Sequence, residues 1–358
     1  VYGARGAVKP RRVIGFRTPK SEGTTMTQPS SANFVNRLFF GYQNAAVLKG
    51  ALELDVFTAI GSGTLDVAAL AAKCEASPRG IAALCDSLVV MGFLLKSSAG
   101  YALTPDSAAF LDRSSPTCIG GIHEFMAAPE FVAMLFEDPA GAVRRGGAPG
   151  LANISPDNPI WVRFARCMAP FMALDAKLVV DHASDEPPRR VLDISASHGI
   201  FGIAFGRRFA DCHITGLDWG AVVAVARENA DAAGMGDRYA TIVGSAFEVD
   251  WGKGYDIVLL PNFLHHFDRA GCMKILQRAR AALAPKGRVA IVEWVPNDDR
   301  ISPPAPALFA MTMLLSTPSG STYTAPEFSA MLAEAKFQKP DIIPLLPTPL
   351  TLVMARAG

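Results

Sequence analysis

Between residues 190 and 295 short apolar runs of strand character alternate with longer runs at helical spacing: 190–194, 200–209, 213–217, 222–233, 239–243, 256–260, 269–283 and 289–295. Such alternation predicts an α/β domain, a mostly parallel sheet with helices on both faces. Sheets of this kind bind ligands outside the carboxyl ends of their strands, so functional residues should stand just after each strand.

The chain before residue 184 reads differently. Phe34, Leu38, Tyr42, Ala45, Leu48, Leu52 and Val56 recur at three- and four-residue steps, which predicts an amphipathic helix or two abutting helices over 31–60. A further helical run follows Asp66, and Ser77-Pro78 supplies an N-cap and first helical residue for a helix ending near Leu94. Phe93-Leu94-Leu95 and Tyr101-Ala102-Leu103 are split by Ser97, Ser98 and Gly100, a hairpin signal. Helix, helix, helix, hairpin is a winged-helix order. A DNA-reading helix needs several cations for phosphates, whereas 78–91 offers Arg79 alone beside the acid Asp86. Dimerisation through the apolar first helix, as a homodimer, and lid duty over a substrate are the expected roles; a ligand-sensing regulator is the weaker alternative. The polar, proline-bearing stretch 183–189 reads as a linker. The predicted organisation is a disordered basic tail over 1–30, a helical winged-helix domain over 31–183, and an α/β domain over 184–358.

A net charge of +1 over 358 residues gives no field suited to a nucleic acid or an anionic membrane. The tail carries Arg5, Lys9, Arg11, Arg12, Arg17 and Lys20 against Glu22, with no apolar stretch after them; an organelle transit peptide stays open, and Met26 is a candidate start. The six cysteines are widely spaced, without a Cys-x-x-Cys pair, and read as thiols in a reducing, cytoplasmic compartment with no metal site. No run of about 18 apolar residues reads as a membrane span.

The first predicted strand runs into Asp193-Ile194-Ser195-Ala196-Ser197-His198-Gly199, and Asp218 closes the second strand. Small residues let backbone amides approach a ligand, and an acid at Asp218 accepts hydrogen bonds from ribose hydroxyls. Ser197-x-Gly199-x-x-Gly202 lies one residue from a dinucleotide fingerprint. An acid at Asp193 would repel a pyrophosphate but pair with the amino group of a methionine moiety, which points to S-adenosylmethionine. A helix-capping role is the structural alternative for Asp193.

On these residues the chain from 190 onward resembles the class I S-adenosylmethionine-dependent methyltransferases, and from about Ser31 the two-domain small-molecule O-methyltransferases of plant phenolic and bacterial tailoring metabolism. In that family the loop reads acid, then Gly-x-Gly-x-Gly; Ser195 and Ser197 replace the first two glycines and Gly199 is kept. The resemblance implies that Trp219, Ser245, Ala246, Phe247 and Asn262 join Asp193, Ser195, Ser197, Gly199 and Asp218 around the cofactor. Simple core packing is the alternative for Trp219 and Phe247. Counting back from Cys272 places His265 on the family's base, with His266 and Phe267 where relatives have Asp-Trp. Imidazole suits proton removal from a hydroxyl because its pKa lies near working pH; a pair of histidines capping strand and helix is the structural alternative. Glu293 falls where an acid orients that base, and residues 320–324 lack the second acid of plant members. Glu327 is read as a first-turn acid of the next helix, and Asp298-Asp299 as a solvated turn rather than metal ligands.

Trp161, Phe164, Met168, Phe171 and Met172 share one stripe of a helix that the family lays over cofactor and acceptor. Phe309, Met311, Met313, Leu314 and Leu315 offer a second apolar wall; plain core packing is the alternative for both. The expected activity is O-methylation of a hydroxylated aromatic or polyketide-like acceptor. The competing reading is a cofactor-binding relative without methyl transfer.

Overall fold

The computed structural model describes residues 32–150, 155, 156, 158–183 and 186–358. The expected basic tail lies outside the described residues, as do Ser184 and Asp185 of the linker. The chain forms two compact units, one ending at Gln43 and the other running Asn44–Gly358. The first contains α1 (Ala32–Phe39) and opens α2 (Gly41–Glu53); its Leu38, Phe39, Phe40 and Tyr42 are exposed.

In the second unit α2 continues, and Asp55, at φ 54°, breaks the chain before α3 (Val56–Ile60). The predicted helical run over 31–60 is thus three helices. Asp66 caps α4 (Val67–Lys73) by accepting from Ala69 N–H at 2.8 Å, and Ser77 caps α5 (Pro78–Val90) by accepting from Gly80 N–H at 3.1 Å. The last helix ends at Val90, four residues early, because Gly92 at φ 83° turns the chain. β1 (Thr64–Leu65), β2 (Leu94–Ser97) and β3 (Gly100–Leu103) pair antiparallel in the order β1-β3-β2. Leu70, Ile81, Leu88 and Tyr101 fill the core between this wing and its helices.

Short helices follow: α6 (Pro105–Phe110), α7 (His123–Met126), α8 (Pro129–Phe136) and α9 (Pro139–Arg145). They lead to the 23-residue α10 (Ile160–His182). Seven strands then form one sheet: β4 (Arg190–Ile194), β5 (His213–Asp218), β6 (Tyr239–Val243), β7 (Tyr255–Pro261), β8 (Leu283–Glu293), β9 (Asp341–Pro344) and β10 (Thr351–Arg356). Their order is β6-β5-β4-β7-β8-β10-β9, with β10 antiparallel to both neighbours and β6 through β8 parallel. The crossovers are α11 (Ile200–Arg208), α12 (Gly220–Ala232) and α13 (Arg269–Ala282), while α14 (Pro304–Ser316) and α15 (Ala325–Glu334) precede β9. As a parallel sheet requires, the strands are apolar on both faces. Val191, Ile257 and Leu259 pack toward α10 and α11, whereas Leu192, Val258 and Leu260 pack toward α13 and α15.

From β4 the chain winds outward through β5 to β6, then returns to place β7 on the other side of β4. That reversal opens a crevice at the carboxyl ends of β4 and β7. Glu327 accepts from Thr324 N–H at 2.8 Å in a capping box at the start of α15, the first-turn role read from the sequence.

Candidate active site

Two adjoining cavities occupy this crevice, one of about 320 Å³ and one of about 250 Å³. Trp161, Ser195, Asp218, Trp219 and His266 line both. Every strand from β4 to β8 delivers side chains here from the segment that follows it or from its last residues.

The loop after β4 is held tightly. Ser195, Ser197 and Gly199 alternate at φ 54°, 51° and 72°, the left-handed conformation that glycine adopts freely and serine does not. Ala196 N–H donates to Leu217 O at 3.0 Å, and Ser197 N–H donates to Asp218 Oδ2 at 2.9 Å. At Gly199 a Cβ would stand 2.8 Å from the Tyr239 hydroxyl and 3.0 Å from Ala226 Cβ, so only glycine fits. Asp218 also accepts from Trp219 N–H at 2.7 Å. Burial pushes its carboxyl up to about 6, against the pull of those two amides.

Asp193 departs from its expected contact. It lines neither cavity and is wholly buried. Its Oδ2 accepts from Gly202 N–H at 3.0 Å, tying β4 to the first turn of α11. The reason is the strand pleat: Val191 and Asp193 share the face covered by α11, so the side chain lands beneath that helix and not beyond the strand end. Burial pushes the Asp193 carboxyl up to about 8; the Gly202 amide opposes this and the Asp218 charge adds to it.

At the end of β7, Asn262 sits at φ 50° with its N–H donating to Val292 O at 2.8 Å. A single turn of 3₁₀ helix, Leu264–His266, follows. His265 Nδ1 lies 2.7 Å from Glu293 Oε2, both side chains buried. A carboxylate only accepts, so Nδ1 carries a proton, and in the neutral ring Nε2 keeps its lone pair. Glu293 Oε1 accepts from Phe263 N–H at 3.0 Å and His265 N–H at 3.2 Å, so one carboxylate fixes both the ring and the turn that bears it. Phe309 packs edge-on against the His265 ring at 5.0 Å. His266 faces both cavities with Nδ1 3.2 Å from Phe263 O. Burial, with the neighbouring His265, holds its pKa well below the usual range, so the ring stays neutral.

Ser245, Ala246 and Phe247 line the smaller cavity. Trp161, Phe164, Met168, Phe171 and Met172 on α10 all line the larger one. Met311 does not: it is 40% exposed, and Phe309, Thr312, Met313 and Ser316 face inward instead. Two residues past Phe309 is about 200° around a helix, so Met311 points away. Glu293 and Gly199 lie behind the lining and support it. Asp299 forms a surface turn, accepting from Ile301 and Ser302 N–H, and no cluster able to hold a metal ion occurs among the described residues.

Two family models match the chain: the O-methyltransferase domain over residues 144–338, more than half of the sequence, and the O-methyltransferase dimerisation domain over 36–113. The chain belongs to the O-methyltransferase family. It is an S-adenosylmethionine-dependent O-methyltransferase. A solved Nostoc punctiforme protein described as an O-methyltransferase is 45% identical, with a TM-score of 0.86 over 92% of this enzyme and 100% of that chain. Human N-acetylserotonin methyltransferase in complex with S-adenosylmethionine shares the fold at 22% identity, with a TM-score of 0.82 over 94% of this enzyme and 100% of that chain. The 3-hydroxy-5-methyl-1-naphthoate 3-O-methyltransferase of Streptomyces sahachiroi is 28% identical over 82% of this enzyme and 86% of its own length.

The enzyme's own residues fit the cofactor. The Ser197 hydroxyl and Asn262 Oδ1 are buried without hydrogen-bond partners beside a crevice whose loops end in small residues and an acid. Sequence reading assigned no role to His198, nor to Phe125, Phe131 and Met134, which also line the larger cavity. The dense aromatics and methionines of 122–135 were the available signal for the last three.

Proposed function

We propose that the enzyme methylates a hydroxyl on a flat aromatic or polyketide-like small molecule, with His265 as general base and Glu293 as the group that orients it. The 2.7 Å contact between His265 Nδ1 and Glu293, in a cavity walled by aromatic rings, carries this reading. When bound, S-adenosylmethionine supplies a methyl group on a positively charged sulfur. Asp218 and Trp219 would hold its ribose, Ser245 through Phe247 would enclose its adenine, and Ser195, Ser197 and Asn262 would line its amino-acid portion.

His265 Nε2 would take the acceptor's hydroxyl proton and so activate the oxygen toward the methyl carbon, whose bond to sulfur breaks as the carbon–oxygen bond forms; the sulfur's positive charge is lost and the proton stays on the imidazole. Glu293 stabilises the resulting imidazolium through Nδ1–H. A ring of aromatic and sulfur-bearing side chains, Trp161, Phe164, Met168, Met172 and Phe309 among them, matches a flat apolar acceptor and excludes water from the base. The naphthoate substrate named for the Streptomyces relative is of this shape. Residues 36–113 match a dimerisation domain, and Val90 and Leu95, 89% and 56% exposed, support a homodimer.

Transfer of labelled methyl across a panel of phenols, hydroxynaphthalenes and hydroxyquinones tests the acceptor class. Turnover should favour the fused-ring phenols over aliphatic alcohols of similar size. Preference for an aliphatic alcohol or an amine would contradict it.

A further inference from the structure

His198 stands in the cofactor loop between Ser197 and Gly199. It is 4% exposed, and its ring lies near-parallel to those of Phe164 and Phe201, with each centroid 6.2 Å away. Its Nδ1 accepts from Ile200 N–H at 3.2 Å. A ring nitrogen that accepts an N–H carries no proton, so in the neutral ring the proton sits on Nε2. Burial lowers the ring's pKa to about 4, which keeps it in that neutral form. The mechanism above makes no use of this donor, which belongs to a residue lining the larger cavity.

The cofactor brings a demand of its own. Its methionine portion ends in a carboxylate, and a carboxylate removed from water needs donors. Among the described residues no Lys or Arg lines either cavity. Neutral donors must therefore serve. Ser197 and His198 are consecutive, the Ser197 hydroxyl is buried without a partner, and the same loop is tied at Ser197 N–H to Asp218.

We propose that His198 is the carboxylate-binding residue of this enzyme, its Nε2–H donating, with the Ser197 hydroxyl beside it, to the carboxylate of the bound cofactor. Phe164 and Phe201 hold the ring at a fixed angle, so the donor is in place before the ligand arrives. The proposal rests on the cofactor's identity and not on the acceptor, so a mistaken acceptor class leaves it standing.

The test is calorimetry with two ligands that differ in the amino-acid portion, carboxylate and ammonium together: S-adenosylhomocysteine, which has it, and 5′-methylthioadenosine, which lacks it; an N–H donor answers the carboxylate and not the ammonium. In His198→Phe, which keeps an aromatic ring between Phe164 and Phe201, S-adenosylhomocysteine should bind about tenfold or more weakly. Binding of 5′-methylthioadenosine should stay within about twofold of wild type. His198→Gln, which restores a donor, should recover part of the loss. Equal weakening of both ligands, unchanged binding of both, or a change confined to the acceptor KM would each overturn the proposal. Nitrogen-15 spectra of the wild-type histidines give a reading that needs no variant. S-adenosylhomocysteine should shift the His198 Nε2–H resonance and 5′-methylthioadenosine should not; the same response to both would also overturn it.

Discussion

Ser195 and Ser197 hold φ of 54° and 51° in the loop after β4. The left-handed conformation costs a non-glycine residue about 1–2 kcal/mol, somewhat more than the roughly 0.5–1 kcal/mol by which glycine loosens a chain. Ser195→Gly should therefore raise stability by about 0.5–1 kcal/mol, read as a higher melting temperature of the ligand-free enzyme. A lower melting temperature would show that the serine side chain contributes more than its backbone costs. The loop keeps its glycine-like path because anchors at Leu217 O and Asp218 over-determine it. The pairing of His265 with Glu293 was legible from the sequence through the family resemblance, which places a base and its orienting acid at the ends of two adjacent strands. The placement of Asp193 was not, since a one-residue step along a strand decides whether a side chain enters the crevice or lies under a helix. His198 escaped notice for a related reason: its tautomer depends on an amide two residues away, and nothing in the spacing of residues records that.

At the scale of elements, the joint between β4 and α11 is the Asp193 carboxyl bonded to Gly202 N–H. With a folded pKa of about 8, this acid keeps its proton in the native state at pH values where the unfolded chain has released it. Native protein then binds more protons than unfolded, and stability falls as pH rises toward 8. Asp218, at about 6, has gone through most of the same change by pH 6.5 and adds only a small fall above it. His198 and His266, whose pKa values are lowered, act in the opposite sense; their contribution fades only as pH climbs about a unit past the ordinary histidine value, so it offsets part of the fall near pH 6.5 and little of it near pH 8. Between pH 6.5 and 8 the Asp193 contribution dominates, with a slope of up to about 1.4 kcal/mol per pH unit. Ligand-free enzyme should melt lower at pH 8 than at pH 6.5, and Asp193→Asn should flatten that dependence. A melting temperature that rises over this range, or a slope unchanged in the variant, would contradict the assignment. Element types were largely readable: Asp66 and Ser77 announced α4 and α5, and Glu327 as a first-turn acid announced α15. Breaks were harder. The interruption between α2 and α3 rests on the left-handed Asp55, which the apolar periodicity passes over without a mark.

In the whole molecule, a parallel sheet with a topological reversal supplies the crevice, and the helices before it supply the roof. α10 spans that division: its Trp161, Phe164, Met168 and Met172 line the larger cavity while Ala176, Val179 and Val180 belong to the core beneath α11. Fold class and family were visible in the sequence because they follow from the order of elements and a few strand-end residues. The cavity's full lining was not, because α7 and α8 reach it only through tertiary packing; the wall from α14 was anticipated, with Met311 on the wrong side of the helix. The central claim is that His265 removes the acceptor's proton in a site whose cofactor grip lies elsewhere. The most direct test measures single-turnover methyl transfer by His265→Ala alongside its affinity for S-adenosylhomocysteine. The rate should fall by about 10²–10⁴, with the affinity held within about twofold of wild type. Transfer at the wild-type rate would contradict the claim.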